Sequence, residues 1–232
     1  FDVTKLIVKR QHGYCNCSFG ESMSEDPAAL SVVIKLCECL KRDGIDYCHW
    51  KSNATIKRSA SGDNDLDLLV NRADTQKFIE LLDRLGYKEA QALPEEQLPG
   101  VRDFYGYDGP TARLIHVHAH FQLVLGHDLT KNYHLPIERS YLDSAVQKDL
   151  FRIPAPEFEL VVFVIRMVLK HSTLDAILMR HGSLSTSERC EFEFLASPMT
   201  LEKSHAVLAL QLPYIDYPLF EACVQALQPG CS

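Results

Sequence analysis

The residues of this chain best suited to chemistry lie in two short strings. The first, IDYCHWKSNATIKRSASGDNDLDLLV over residues 45–70, ends in an Asp-x-Asp pair, Asp65 and Asp67. With 65–70 as a strand, Asp65, Asp67 and Leu69 share one face and Leu66, Leu68 and Val70 the other, because strand side chains alternate. The two carboxylates then sit about 6.5–7 Å apart along the backbone and can converge on one divalent cation. Two like charges above a buried apolar face are costly unless a cation or solvent offsets their repulsion. An edge strand whose aspartates face water carries the same pattern.

The second string is Ile115-His116-Val117-His118-Ala119-His120-Phe121, which as a strand puts three histidines on one face. A neutral imidazole there can ligate a cation or take a proton near neutral pH. Three imidazoles also match the ligand number of a catalytic zinc, and a polar cleft face without catalysis is a third reading.

Strands, turns and helices must position these groups. A strand at 45–50 leads into the polar triplet Lys51-Ser52-Asn53, then a short helix-competent run to the turn at 59–62, and then the Asp-x-Asp strand. Asp65 and Asp67 follow Ser52 by thirteen and fifteen residues. Ahead of this unit, Leu30, Val33, Ile34, Cys37 and Leu40 recur at helical spacing over 27–42, with Ser24 as cap, Pro27 near the first turn and Gly44 as stop. After it, Phe78, Leu81, Leu82 and Leu85 predict a helix over 73–85, closed by Gly86. A strand at 87–91 and a loop at 92–100 follow. Strands at 104–107 and 112–125 flank the turn Asp108-Gly109-Pro110 as a hairpin. The polar loop 126–134 offers Lys131 as a phosphate contact, and 150–153 reads as one more strand.

From Pro156 the pattern turns helical, with Glu157 and Glu159 in a first turn where carboxylates favour the positive helix end. Residues 158–171 are apolar nearly all round, which predicts burial between the sheet and the remaining helices. Arg166 and Lys170, four apart, share a face there and suit either phosphates or carboxylates at the junction. Further helices are expected at 173–180, 187–195, 200–210 and 217–227.

The strings CHWKSN and DLDLLV, in the order strand, small polar turn, helix, Asp-x-Asp strand, resemble the nucleotidyltransferase superfamily of DNA polymerase beta and the aminoglycoside nucleotidyltransferases. They are similar more closely to a group of uncharacterised bacterial nucleotidyltransferase-like domains, some described as thymidylate kinase-like. The resemblance implies an α+β fold: a small mixed nucleotidyltransferase-type sheet flanked by helices over 27–155, a C-terminal helical domain over 156–232, and a segment 1–26 of no assigned role. It implies that Ser52 and nearby amides hold the triphosphate, with Lys51, Lys131, Arg166 and Lys170 as further nucleotide contacts. Asp65 and Asp67 would bind Mg2+, with Mn2+ as its substitute, and His118 would stand at the third position, where the superfamily commonly has a carboxylate, as ligand or base. The superfamily's Gly-Ser is Lys51-Ser52 here. Losing the glycine hinders close backbone approach, while Lys51 adds a compensating charge. The implied reaction moves a nucleoside monophosphate from a nucleoside triphosphate to a hydroxyl of a small molecule or protein, releasing pyrophosphate. The alternative is a catalytically degenerate nucleotide-binding or protein-interaction module. A kinase finds no P-loop here, since Trp50 stands where the glycine before Lys-Ser belongs; any kinase-like module would lie in a longer or partner chain.

Composition is that of a globular chain. A chain of 232 residues, 46% hydrophobic, can bury a full core. Its net charge of −7, with no basic run longer than Lys57-Arg58, argues against a nucleic-acid surface. Eight cysteines without a regular framework, and no apolar span or leader, lead to the expectation of a reduced, cytoplasmic protein with no membrane contact. Cys15-Asn-Cys17 and Cys37-Glu-Cys39 are too tightly spaced for usual structural zinc, and Cys37 falls on a core stripe.

Overall fold

The computed structural model describes residues 28–91, 93, 97–126, 133–171 and 184–228. Lys131, Cys15, Cys17 and the helix expected at 173–180 lie outside the described residues. The described chain is mixed α and β. Its main sheet has five strands, β1 (Tyr47–His49), β2 (Leu66–Val70), β3 (Lys88–Ala90), β4 (Val101–Asp108) and β5 (Arg113–His120), in the order β1-β2-β5-β4-β3. β2 and β5 run parallel and the other neighbours antiparallel.

On one face of the sheet lie α1 (Ser31–Arg42) and α3 (Thr75–Arg84), with α2 (Ile56–Ala60) between β1 and β2 in the chain. Val33, Leu36, Cys37 and Leu40 of α1 and Phe78, Leu81 and Leu82 of α3 are buried against Leu66, Leu68, Val70, Phe104, Ile115, Val117 and Ala119. The cysteine stripe is therefore core, and burial pushes the Cys37 thiol up to about 12.

The first helix starts four residues later than its periodicity suggests. Leu30 is extended, with φ −66° and ψ 143°, and its N–H is bound to the Ala60 carbonyl at 2.9 Å. No local side chain caps α1. Asp108, at the end of β4, does so from a distance: its Oδ1 accepts from Ser31 Oγ at 2.6 Å and from the Val32 N–H at 3.0 Å. These bonds and those from Thr111 hold the Asp108 carboxyl down at about 2.

The C-terminal helices pack against the other face of the sheet at its β1–β2 end. α5 (Pro156–His171) buries Leu160, Val161, Val162, Phe163, Val164 and Met167. It packs with α6 (Thr186–Leu195), α7 (Pro198–Gln211) and α8 (Tyr217–Leu227) into one apolar core that also takes in Cys48, Trp50 and Leu69 from the sheet. α6 begins at a reciprocal cap, Ser185 and Glu188 each bonding the other's backbone N–H, and α7 at Ser197 followed by Pro198.

Three pieces were not expected from the sequence. The second hairpin strand stops at His120, and the chain folds into a small ladder of β6 (Val124–Leu125) with β7 (Tyr133–His134). α4 (Glu138–Asp143) follows, its buried Tyr141 donating to the Trp50 carbonyl at 2.7 Å. The third piece, β8 (Val146–Lys148), pairs with β9 (Phe151–Ile153), the strand expected at 150–153, in a hairpin that turns at Asp149, φ 52°.

Candidate metal centre and adjoining cavity

The parallel register of β2 and β5 sets Asp67 opposite His118, and the antiparallel register of β4 and β5 sets Asp103 opposite the same histidine. Alternation then brings Asp65, Asp67, His116, His118 and His120 to one face, as the sequence spacing implies. Asp67 is buried. Its Oδ1 lies 2.9 Å from Lys51 Nζ and 3.1 Å from His118 Nδ1. Burial by itself would raise the Asp67 carboxyl, but the Lys51 ammonium and the His118 hydrogen bond outweigh it and hold the group far below the usual carboxylate range. His118 Nδ1 is in turn 3.4 Å from His120 Nε2. One ligand atom from each of Asp67, His118 and His120 falls within a 4.8 Å cluster.

Asp65 does not join that cluster. Its Oδ1 lies 3.0 Å from Nδ1 of His116, whose Nε2 lies 2.8 Å from Asp103 Oδ1. Burial would lower the His116 imidazole, but the hydrogen bonds it donates to Asp103 and Asp65, reinforced by their charges, raise it to about 9. Of the two carboxylates expected to hold one Mg2+, the structure sets each against a different imidazole. Asp65 serves an imidazolium, while Asp67 sits with two imidazoles. One carboxylate and two ring nitrogens are a poor match for Mg2+, which prefers near-octahedral oxygen.

The turn after β1 is pinned from beneath. Asn53, buried, donates from Nδ2 to the His49 carbonyl at 3.0 Å and to Glu159 Oε1 at 2.9 Å, while its Oδ1 is 2.7 Å from His49 Nδ1. Ser52 consequently takes the left-handed conformation, φ 61° and ψ 28°, which costs a residue with a Cβ about 1–2 kcal/mol. Its N–H donates to Glu191 Oε1 at 2.8 Å, across 139 residues.

Beside the metal cluster a cavity of about 340 Å³ is lined by Trp50, Lys51, Ser52, His120, Arg166, Lys170, Glu188 and Glu191, among others. The structure thus brings together four of the five nucleotide contacts expected from sequence, the fifth, Lys131, lying outside the described residues. Arg166 and Lys170 meet carboxylates there: Arg166 Nη2 is 2.9 Å from Glu191 Oε2, and Lys170 Nζ is 2.8 Å from Glu188 Oε1. Burial would raise the Glu188 carboxyl, but Lys170 and the Ser185 cap bring it down to about 2. Sequence reasoning did not find Glu188, Glu191 or the pairing of Asn53 with Glu159. Glu159 carried a weak signal, being a carboxylate at the start of a helix whose next turns are wholly apolar. Burial, the charge of Glu191 and the absence of a full countercharge raise it to about 8. A larger cavity of about 540 Å³, mostly apolar, is lined by Ile56, Phe151, Ile153 and Phe194 together with Asn53 and Glu159, and by none of the charged residues of the metal face.

No helix among the described residues is long and apolar enough to cross a membrane. No family model, no curated protein and no solved structure matches this chain.

Proposed function

We propose that the chain is a divalent-metal-dependent nucleotidyltransferase, which moves a nucleoside monophosphate from a nucleoside triphosphate to a hydroxyl of a small molecule or protein and releases pyrophosphate. The observation that carries this reading is the juxtaposition of the Asp67–His118–His120 cluster with a cavity that also presents Lys51, the Ser52 amide, Arg166 and Lys170. A cation held by Asp67 and the imidazoles would polarise the α-phosphate and offset charge on the leaving oxygen. Lys51 and the Ser52 amide lie where they could orient the triphosphate, and Arg166 and Lys170 add charge along the cavity wall. The sheet and its flanking helices form the nucleotidyltransferase-type part. The helices from Pro156 on serve as the domain that closes over base and acceptor.

A second reading, a nucleotide-binding or protein-interaction module without catalysis, has one specific observation in its favour. The cavity's cations are matched by anions: Lys51 faces Asp67, Arg166 faces Glu191 and Lys170 faces Glu188. The deciding experiment compares wild type with Asp67→Asn for binding of the four ribonucleoside triphosphates and for pyrophosphate release, with Mg2+, Mn2+ or Zn2+ present. Metal-dependent binding with release, both lost in the variant, supports the enzyme. Binding without release supports the module. No binding by folded wild type removes both nucleotide readings and leaves only the protein-interaction module.

A further inference from the structure

The geometry points to a resident transition-metal ion of the zinc class, held by Asp67, His118 and His120, where the resembling superfamily uses Mg2+ between carboxylates. Two distances carry the inference. In a tetrahedral site with metal–ligand bonds of about 2.0–2.1 Å, neighbouring ligand atoms are about 3.3 Å apart. Asp67 Oδ1 to His118 Nδ1 is 3.1 Å, and His118 Nδ1 to His120 Nε2 is 3.4 Å. Two edges of a tetrahedral face are already formed, and all three ligand atoms lie within 4.8 Å of one another, so a modest side-chain rotation completes it.

The surroundings fit a ligand set more than a chance cluster. The strands fix the rings: His118 is in direct register with Asp67, and Trp50 meets the His120 ring edge-on at 4.9 Å between centroids. His118 Nε2 lies 4.0 Å from the Asp103 carboxylate and would carry the ring proton once Nδ1 turns to a metal. The ion takes the place of the proton that His118 Nδ1 shares with Asp67. Lys51 remains as the outer hydrogen-bond partner of the ligating carboxylate. Three protein ligands leave a fourth position, and His120 and Lys51 both line the cavity, so that position opens towards it. Imidazole donors select zinc, cobalt, nickel or copper over magnesium.

As a statement about a catalytic ion the inference rests on the nucleotidyl-transfer reading; as a statement about ligands it is tested with metal alone. The purified chain is stripped with a chelator and titrated with Co2+, followed by visible absorption, which is intense for four-coordinate cobalt. The expected result is one equivalent bound with that spectrum, displaced by stoichiometric Zn2+ and untouched by millimolar Mg2+. His118→Gln and His120→Gln should each weaken Co2+ binding by at least about 100-fold, with folding checked by circular dichroism. A wild-type chain that gives no such spectrum, or whose Co2+ is displaced by Mg2+ as readily as by Zn2+, overturns the assignment without recourse to any variant. Loss of Co2+ binding in Asp65→Asn with retention in His120→Gln overturns it in favour of the carboxylate pair. Triphosphate binding is read separately: a chain that takes cobalt but no triphosphate keeps the metal site and loses nucleotidyl transfer.

Discussion

Replacing Glu159 by glutamine should stabilise this protein at alkaline pH. Glu159 is buried at the first turn of α5, and its hydrogen bond comes from a neutral amide, Asn53 Nδ2 at 2.9 Å. Burial, together with the nearby Glu191, lifts its carboxyl from the ordinary 4.5 to about 8, and Asn53 and Arg166 offset only part of this. Between those two values the folded chain holds a proton that the unfolded chain has released. Stability therefore falls as pH rises from 4.5 towards 8, and the full cost is present above 8. At about 1.4 kcal/mol for each tenfold change in proton affinity, the cost is about 3–5 kcal/mol. Glutamine keeps the oxygen that Asn53 needs and cannot ionise. Urea unfolding of wild type and Glu159→Gln at pH 5 and pH 9 isolates this group together with its coupling to Glu191, since titrations distant from it cancel in the difference. With a slope of about 3 kcal/mol per molar urea, the midpoint of the variant should exceed that of wild type by about 1–1.7 M at pH 9, and the two should lie close together at pH 5. A midpoint difference that does not change with pH would refute the reasoning, because it would mean that Glu159 ionises alike in the folded and unfolded chains.

Three further outcomes are expected. Lys51→Met leaves the buried Asp67 carboxylate without its cation and should cost about 2–4 kcal/mol near pH 7; because Asp67 is a lowered carboxyl, the deficit should shrink as pH falls below about 4, measurable by thermal unfolding across that range. Gly106→Ala would put a Cβ 2.5 Å from Cε1 of the buried Tyr87 ring, so overpacking should cost about 1–3 kcal/mol and lower Tm by about 2–10 °C in scanning calorimetry. Asp108→Ala removes the distant cap of α1 and should cost about 1–2 kcal/mol in chemical denaturation, with amide-exchange protection lost around Ser31 and Val32 and at Thr111.

What the sequence revealed and what it concealed divide along the range of the forces involved. The stripe Leu30, Val33, Ile34, Cys37, Leu40, the stripe Phe78, Leu81, Leu82, Leu85 and the alternation of Asp65 to Val70 are local periodicities, and the structure follows them with small departures: Ile34 and Leu85 are only half-buried, and Leu36, outside the expected stripe, is fully buried. The shared face of the three histidines was legible for the same reason. The start of α1 was not, because its cap comes from Asp108, 77 residues beyond Ser31. α4 buries only Tyr141 and Leu142, too few for a stripe, and β8 is exposed throughout, so neither leaves a periodic trace. At the site, composition marked Asp65 and Asp67 as a pair. Which carboxylate meets which imidazole depended on strand register, and register sent Asp65 to His116 and Asp67 to His118. Arg166 and Lys170 were recognised as sharing a face, yet their partners Glu191 and Glu188 arrive on another helix by tertiary packing alone.

The bond from the Ser52 N–H to Glu191 has a consequence for every affinity measured at this cavity. The amide that would receive a phosphate is occupied by a carboxylate of the chain itself, and the same carboxylate engages Arg166 through its other oxygen. Glu191 is thus an internal competitor for both groups. A phosphate gains them only in the fraction of molecules where the carboxylate has swung away, and the observed dissociation constant is the intrinsic one divided by that fraction. Since the turn carrying Ser52 and the helix carrying Glu191 are joined by this bond, ligand entry and release of the Glu191 carboxylate become a single equilibrium, and an anion binding here would register as a change at the Ser52 amide and at Glu191.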